Sequence, residues 1–215
     1  MKIHAALAVV LLATACTPTE APVEYWQRFD ETAALAANAE HENVRMRYQL
    51  IQSKVQDKNE LWAPFEKQLN AFGADRYTEL APLILEQDIP TLQGHVAAGR
   101  MTYEELTTFY LYRIRQLESD SSTTLHAVLA LNPDAISEAR ACDRKRAEAM
   151  HPIHGMPILL KDNINTSNMP TTAGAALLAN HNPPANAFIV DQLASNGALI
   201  LGKVNLSEWA LVWYR

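Results

Sequence analysis

The run Ala198-Leu199-Ile200-Leu201 constrains the fold most. Asn196-Gly197 precedes it and reads as the end of a helix, so the run starts a new element. Four consecutive apolar residues leave no polar face, and a strand of this kind is stable only when covered on both sides. The same pattern of a short apolar segment bounded by turn formers recurs at Leu125 to Leu131 and at Pro157 to Lys161. Helical periodicity fills the intervals, and strands alternating with helices define an α/β sheet.

The helices have legible ends. Thr91 to Ala98 reads as a short helix stopped by Gly99. Thr102-Tyr103-Glu104-Glu105 is a capping box, and the helix it opens runs to about Leu117 with Leu106, Tyr110, Ile114 and Leu117 on one face. Asn132-Pro133-Asp134 opens a helix to about Met150. Asn163 to Pro184 reads as loop, with a short helix at Ala173 to Ala179. Ala187 to Ser195 fits a helix with Ile189, Val190 and Leu193 inward. Upstream, residues 25–85 carry apolar residues at helical spacing, including Val44, Leu50, Ile51, Leu61, Phe65 and Leu69. Two or three helices are predicted there, with Pro64 near a start and Gly73 near an end. This region is either an extension with its own partner or a helical layer packed on the main domain.

The 215 residues are 48% hydrophobic and 20% charged, enough for one core-forming domain, and the net charge is -6. The densest basic group, Arg140, Arg144, Lys145 and Arg146, shares its helix with Glu138, Asp143 and Glu148. That mixture is a solvated helix face, and no nucleic-acid partner is expected. The histidines are dispersed and show no metal-ligand spacing, so no metal or cofactor is expected.

Residues 1–15 read as a processing segment: Lys2 supplies the positive start and Ala5 to Ala15 a short apolar stretch. Ala13-Thr14-Ala15-Cys16 resembles a bacterial lipobox, which implies cleavage before Cys16 and lipid on its thiol. A plain secretory signal is the alternative. Either predicts export to the periplasm, with a membrane anchor in the first case. Residues 16–24, with Pro18 and Pro22, read as a tether, and Cys142 is then left without a disulfide partner.

Chemistry centres on His154-Gly155-Met156-Pro157-Ile158-Leu159-Leu160-Lys161-Asp162-Asn163. The apolar run before Lys161 favours its neutral amine, a usable base, while Asp162 favours the ammonium. The sequence leaves that balance open. A lysine at a strand end is more often a solvated surface residue.

Residues from about Asp88 to Ala210 resemble the N-terminal part of the amidase signature family. Four pieces carry the likeness in order: Leu131-Asn132-Pro133-Asp134-Ala135; His154 through Ile164; Met169-Pro170-Thr171-Thr172-Ala173-Gly174-Ala175; and Asp191-Gln192-Leu193 through Gly197 to Ala210. The resemblance implies a mixed central sheet flanked by helices behind a helical N-terminal region, with residues 86–215 as the first part of the amidase domain. It also implies hydrolysis of a small-molecule carboxylic amide to an acid and ammonia or an amine, without cofactor. In that scheme Lys161 is the catalytic base of a Ser–cis-Ser–Lys set, Thr171, Thr172 and Gly174 line or support the site, and Lys203 is structural.

The two serines that the resemblance implies are not found. No Gly-Gly-Ser-Ser stretch exists in the chain. Ser121-Ser122 precedes Lys161 and lacks a flanking glycine, and Ser207 reads as a helix cap. Gly202-Lys203 is only half of a phosphate loop, since Val204 stands where Ser or Thr is required. His154 is given no chemistry. Leu211-Val212-Trp213-Tyr214-Arg215 departs from the family pattern, which suggests a truncated product. The expectations are therefore an amidase portion that is inactive alone, or a lipoprotein that binds a partner through its helical region. The strand at 198–201 is expected to lack neighbours that later segments would supply, and the isolated chain to be poorly soluble.

Overall fold

The computed structural model describes residues 25–27, 30, 32–47, 57–120, 122–148 and 151–210. The signal, the lipidation residue Cys16, the tether, Ser121 and residues 211–215 lie outside them, as do Leu50 and Ile51. The described helices are α1 (Thr32–Ala37), α2 (Lys58–Trp62), α3 (Glu66–Ile84), α4 (Ile89–Ala97), α5 (Tyr103–Ser119), α6 (Ala135–Arg144) and α7 (Phe188–Ser195). The strands are β1 (Val128–Leu131), β2 (Pro157–Lys161) and β3 (Leu199–Val204). The sheet is mixed, in the order β1-β3-β2, with β1 antiparallel and β2 parallel to β3.

β3 is the central strand, and Leu199 through Lys203 are all buried. Both of its neighbours precede it in sequence, so the expected dependence of this strand on later segments is not observed. Gly202 is needed where β1 crosses: a Cβ there would stand 2.3 Å from the carbonyl oxygen of Ala130, and a backbone atom cannot rotate aside. The β1–β3 register shifts between Val128 and Ala130, just at that approach.

Several expected ends move for local reasons. β1 starts at Val128, not Leu125, because His126 sits at φ 50 and Leu125 is 83% exposed. α6 stops at Arg144, and a 3-10 turn follows at Arg146–Glu148. β3 continues through Gly202 and Lys203 to Val204. On α7 only Val190 is fully buried, and Ile189 faces outward. Leu117 is likewise exposed at the end of α5. The capping box forms as read: Thr102 Oγ1 accepts from the Glu105 N–H at 3.0 Å, and Glu105 accepts from the Thr102 N–H at 2.9 Å.

α2 and α3 belong to the same packed body as the sheet. Trp62, Phe65 and Leu69 share a core with Leu111 and Tyr112 of α5, Leu131 of β1, Ile136 of α6 and Leu201 of β3. Pro64 opens the 3-10 turn Ala63–Phe65, and Gly73 (φ 67) interrupts α3 at a kink. A second core joins Leu80 and Ile84 of α3 to Leu92, Leu106, Phe109 and Met156. A third, of Leu160, Met169, Val190 and Ile200, covers the other part of the sheet.

A buried ion pair ties α2 to α5. Lys58 donates to the Glu118 carboxylate, and the two side chains are 2% and 6% exposed. Thr124 Oγ1 donates to the same carboxylate at 3.0 Å and the Ala127 N–H at 2.8 Å. Burial alone would raise the Glu118 carboxyl, but Lys58 and these hydrogen bonds outweigh it, so Glu118 titrates below its ordinary value. A carboxylate depressed in the folded state stabilises above its unfolded value and loses that contribution as pH falls through the folded one. Lys58→Met is expected to cost about 3–5 kcal/mol, because it leaves a buried charge unpaired. It should also flatten the acid limb of the stability curve, measured by urea unfolding as a function of pH. An unchanged acid limb would show that Glu118 does not set it.

Candidate active site

β2 and the residue after it send two adjacent side chains to opposite faces of the sheet. Pro157 starts the strand and pairs with Leu199, Leu160 pairs with Lys203, and Lys161 pairs with Val204. Lys161, at the strand end, is exposed, while Asp162, the next residue, is buried. Successive side chains of an extended chain alternate between faces, which separates the two. Among the described residues the Lys161 side chain makes no hydrogen bond or ion pair.

Asp162 is the hub of the site. Its N–H donates to the Val204 carbonyl at 2.9 Å, and its carbonyl accepts from the Ala173 N–H at 3.0 Å. One carboxylate oxygen lies 3.2 Å from Lys203 Nζ. The other accepts from the Thr172 N–H at 3.0 Å and from the Thr172 hydroxyl. Lys203 Nζ also donates to Thr171 Oγ1 at 2.8 Å and to the Pro170 carbonyl at 3.2 Å. The ammonium thus has three acceptors for its three N–H groups, although Lys203 is completely buried. Burial pushes the Lys203 amine below the usual lysine range, and Asp162 opposes that shift.

At this site the buried lysine is therefore Lys203, and Asp162 serves it, not Lys161. The three residues expected to line the site take different places. Thr171, in the loop after β2, is buried, accepting from Lys203 and donating to the Ile164 carbonyl at 3.4 Å. Thr172 and Gly174 line an open cleft of about 940 Å³ together with Asp162, Pro170 and residues of β1. The structure brings Thr171, Thr172 and Gly174 together around Asp162, and Lys161 is not among the residues lining the cleft. Ser122 donates to Asp120 at 2.7 Å, within its own turn. Asp162 is the residue whose role sequence reasoning missed. The signal was the pairing of an acidic residue next to one strand end with a lysine inside another apolar strand.

The Amidase family profile matches residues 105–214, half of the chain, and runs past the point where the sequence pattern was expected to end. The chain belongs to the amidase family. It is 40% identical over 126 residues to a glutamyl-tRNA(Gln) amidotransferase subunit of Chloroflexus aurantiacus, covering 57% of this chain and 25% of that protein. A probable amidase of Arabidopsis thaliana is 40% identical over 132 residues, 59% of this chain and 25% of its own length. Among solved structures, an amidase family protein from Bacillus anthracis superposes with a TM-score of 0.67 at 35% identity, covering 71% of this chain and 30% of that one. The native peptide amidase of Stenotrophomonas maltophilia gives a TM-score of 0.55 at 44% identity, covering 58% and 26%. The chain spans about a quarter of the length of the curated relatives it matches.

The Asp162–Lys203 pair gives a sharp energetic expectation. Asp162→Ala strands a buried ammonium and should cost about 3–5 kcal/mol, whereas the double variant Asp162→Leu/Lys203→Met should recover most of that loss. A double-mutant cycle by chemical denaturation checks this, and a double variant as unstable as the single one would show that Asp162 acts through its loop bonds alone.

Proposed function

We propose that this chain carries the general-base portion of an amide hydrolase, with Lys161 as the base. The observation that supports this reading most is the family match, which spans β2 with a lysine at its solvent-facing end. A serine hydroxyl is a poor nucleophile until a base accepts its proton. An exposed amine at the end of a strand held by the third core is open to such a group. The reaction is attack on a carboxylic amide, stabilisation of the oxyanion by N–H donors, loss of ammonia or an amine, and release of the acid by water. The substrate is a small carboxylic amide.

The absence of a Gly-Gly-Ser-Ser stretch favours a second point: the 215 residues are inactive by themselves. The purified chain is expected to show no amide turnover. A fusion in which residues 88–210 replace the corresponding quarter of the Stenotrophomonas peptide amidase is expected to hydrolyse a peptide amide. Lys161→Ala within that fusion should lower the rate by about 10²–10⁴-fold. Equal rates with and without Lys161 would remove it from the mechanism. Hydrolysis by the chain alone that depends on Lys161 would show that the nucleophile lies within these residues.

We infer further that the protein is exported and anchored at the periplasmic membrane face by lipid on Cys16, a reading supported by Ala13-Thr14-Ala15-Cys16 after a short apolar stretch. Metabolic labelling with a radioactive fatty acid in a bacterial host should label the wild-type chain and not Cys16→Ser. An unlabelled wild-type chain recovered in the soluble periplasmic fraction would support a plain secretory signal.

A further inference from the structure

A second cavity lies away from Lys161 and the Asp162 hub. It has a volume of about 670 Å³, within the range of small-ligand sites. α6 and its C-cap residue form its floor: Glu138, Ala141 and Cys142 of the helix and Lys145 just after it follow the i, i+3, i+4, i+7 spacing that aligns side chains along one stripe. Val190 and Ala194 of α7 and the start of β3 form an apolar wall. The two ends of the stripe carry opposite charge. Seven residues at about 1.5 Å each separate them by about 10 Å.

Both ends have unused hydrogen-bonding capacity. At one end the buried Asn132 donates to Glu138 Oε2 at 3.1 Å, and also to the Ile200 carbonyl at 3.0 Å. This fixes the carboxylate, while its other oxygen has no partner among the described residues. At the other end Lys145 has no hydrogen bond or ion pair from its side chain among the described residues. His151, exposed, lines the same cavity. Its Nδ1 accepts from the Ile153 N–H at 3.2 Å, which assigns the proton of the neutral ring to Nε2, a donor. Ser167, Asn168 and Asn186 also line the cavity. Asn168 Nδ2 donates to Asn132 Oδ1 at 3.2 Å and Asn186 Nδ2 to Asp191 Oδ1 at 2.9 Å, while the Ser167 hydroxyl and the Asn168 amide oxygen have no partner among the described residues.

The geometry points to a binding site for a short zwitterionic peptide, its ammonium on Glu138 and its carboxylate on Lys145 and His151. The length follows from the spacing. An extended chain advances about 3.3–3.6 Å per residue, so three residues span the distance between the charged ends. The apolar wall and the small side chains of Ala141 and Ala194 leave room for the peptide's own side chains, and the Ser167 hydroxyl and the Asn168 amide oxygen are available to its amides. This site is independent of the role of Lys161.

Calorimetric titration of the full chain with trialanine tests it. Trialanine should bind at one site. N-acetyl-trialanine and trialanine amide should each bind about 10-fold to 100-fold more weakly, the range expected for loss of a hydrogen bond to a charged group. Glu138→Gln, which keeps an acceptor for Asn132, should weaken trialanine and leave the N-acetyl form unchanged. Lys145→Ala, at an exposed position, should weaken trialanine and leave the amide unchanged. Lys161→Ala should have no effect on any of the three, so failure here and failure of the hydrolase reading are separable. No saturable binding up to about 10 mM, equal affinity for capped and free peptides, or loss of binding in Lys161→Ala would each overturn the assignment.

Discussion

An ammonium sits at the centre of this sheet, and the surrounding structure is arranged to satisfy it. Lys203 lies in the middle strand, completely buried, with every N–H directed to an oxygen. Isolated burial of such a charge would cost many kcal/mol, so the strand can exist only if an anion and further acceptors arrive from elsewhere. Asp162 comes from the residue after β2, and Thr171 and Pro170 come from the loop that follows. The pair therefore does more than neutralise charge. It fixes where β2 ends relative to β3 and where the 170–174 loop lies on both.

That arrangement assigns different environments to two lysines on adjacent strands. Lys203 pairs in register with Leu160, and Lys161 with Val204. The alternation of extended backbone puts Asp162 on the side of Lys203 and sends Lys161 to the other. The acidic neighbour that, in sequence alone, would hold Lys161 charged is fully engaged elsewhere. Lys161 is left exposed at the end of a strand whose backbone is anchored by the Asp162–Val204 bond. The base role proposed for Lys161 would draw on this combination of a fixed Cα and a free side-chain end.

Much of this fold was legible because it rests on local signals. The capping box at Thr102, the turn residues around Pro157–Lys161 and the helix stop at Asn196-Gly197 all lie where the sequence places them. The α/β pattern follows from them, while the mixed character of the sheet was expected only from the family resemblance. Illegible features depend on distant partners. Nothing near Lys203 announces that β3 continues through it, because its counter-charge lies 41 positions upstream at Asp162. Nothing in the apolar run 198–201 could name β1 and β2 as the flanking strands, and the expectation of missing neighbours came from the resemblance, which implies further downstream segments. Likewise Leu125 is apolar and β-prone, but His126 in a left-handed conformation turns the chain before pairing begins. Within the candidate site, Thr171, Thr172 and Gly174 were grouped by the resemblance alone, and the residues themselves did not show the division of hydrogen bonds among them.

The loop around those residues holds backbone conformations that need support from outside it. Ala173 is at φ 49 and Gly174 at φ 72, two consecutive left-handed residues of which only the second has no side chain. A non-glycine residue there costs on the order of 1–2 kcal/mol. The cost is met by over-determination: the N–H groups of Thr172 and Ala173 both end on Asp162, and the Gly174 N–H donates to Thr172 Oγ1 at 3.2 Å. The same bend turns the Thr172 and Gly174 backbone toward the cleft beside β1 and gives the Ala173 carbonyl to the N–H of Trp209 at 2.9 Å. One carboxylate, by binding a buried cation on one side and a strained turn on the other, converts the charge problem of β3 into the shape of the surface beside it.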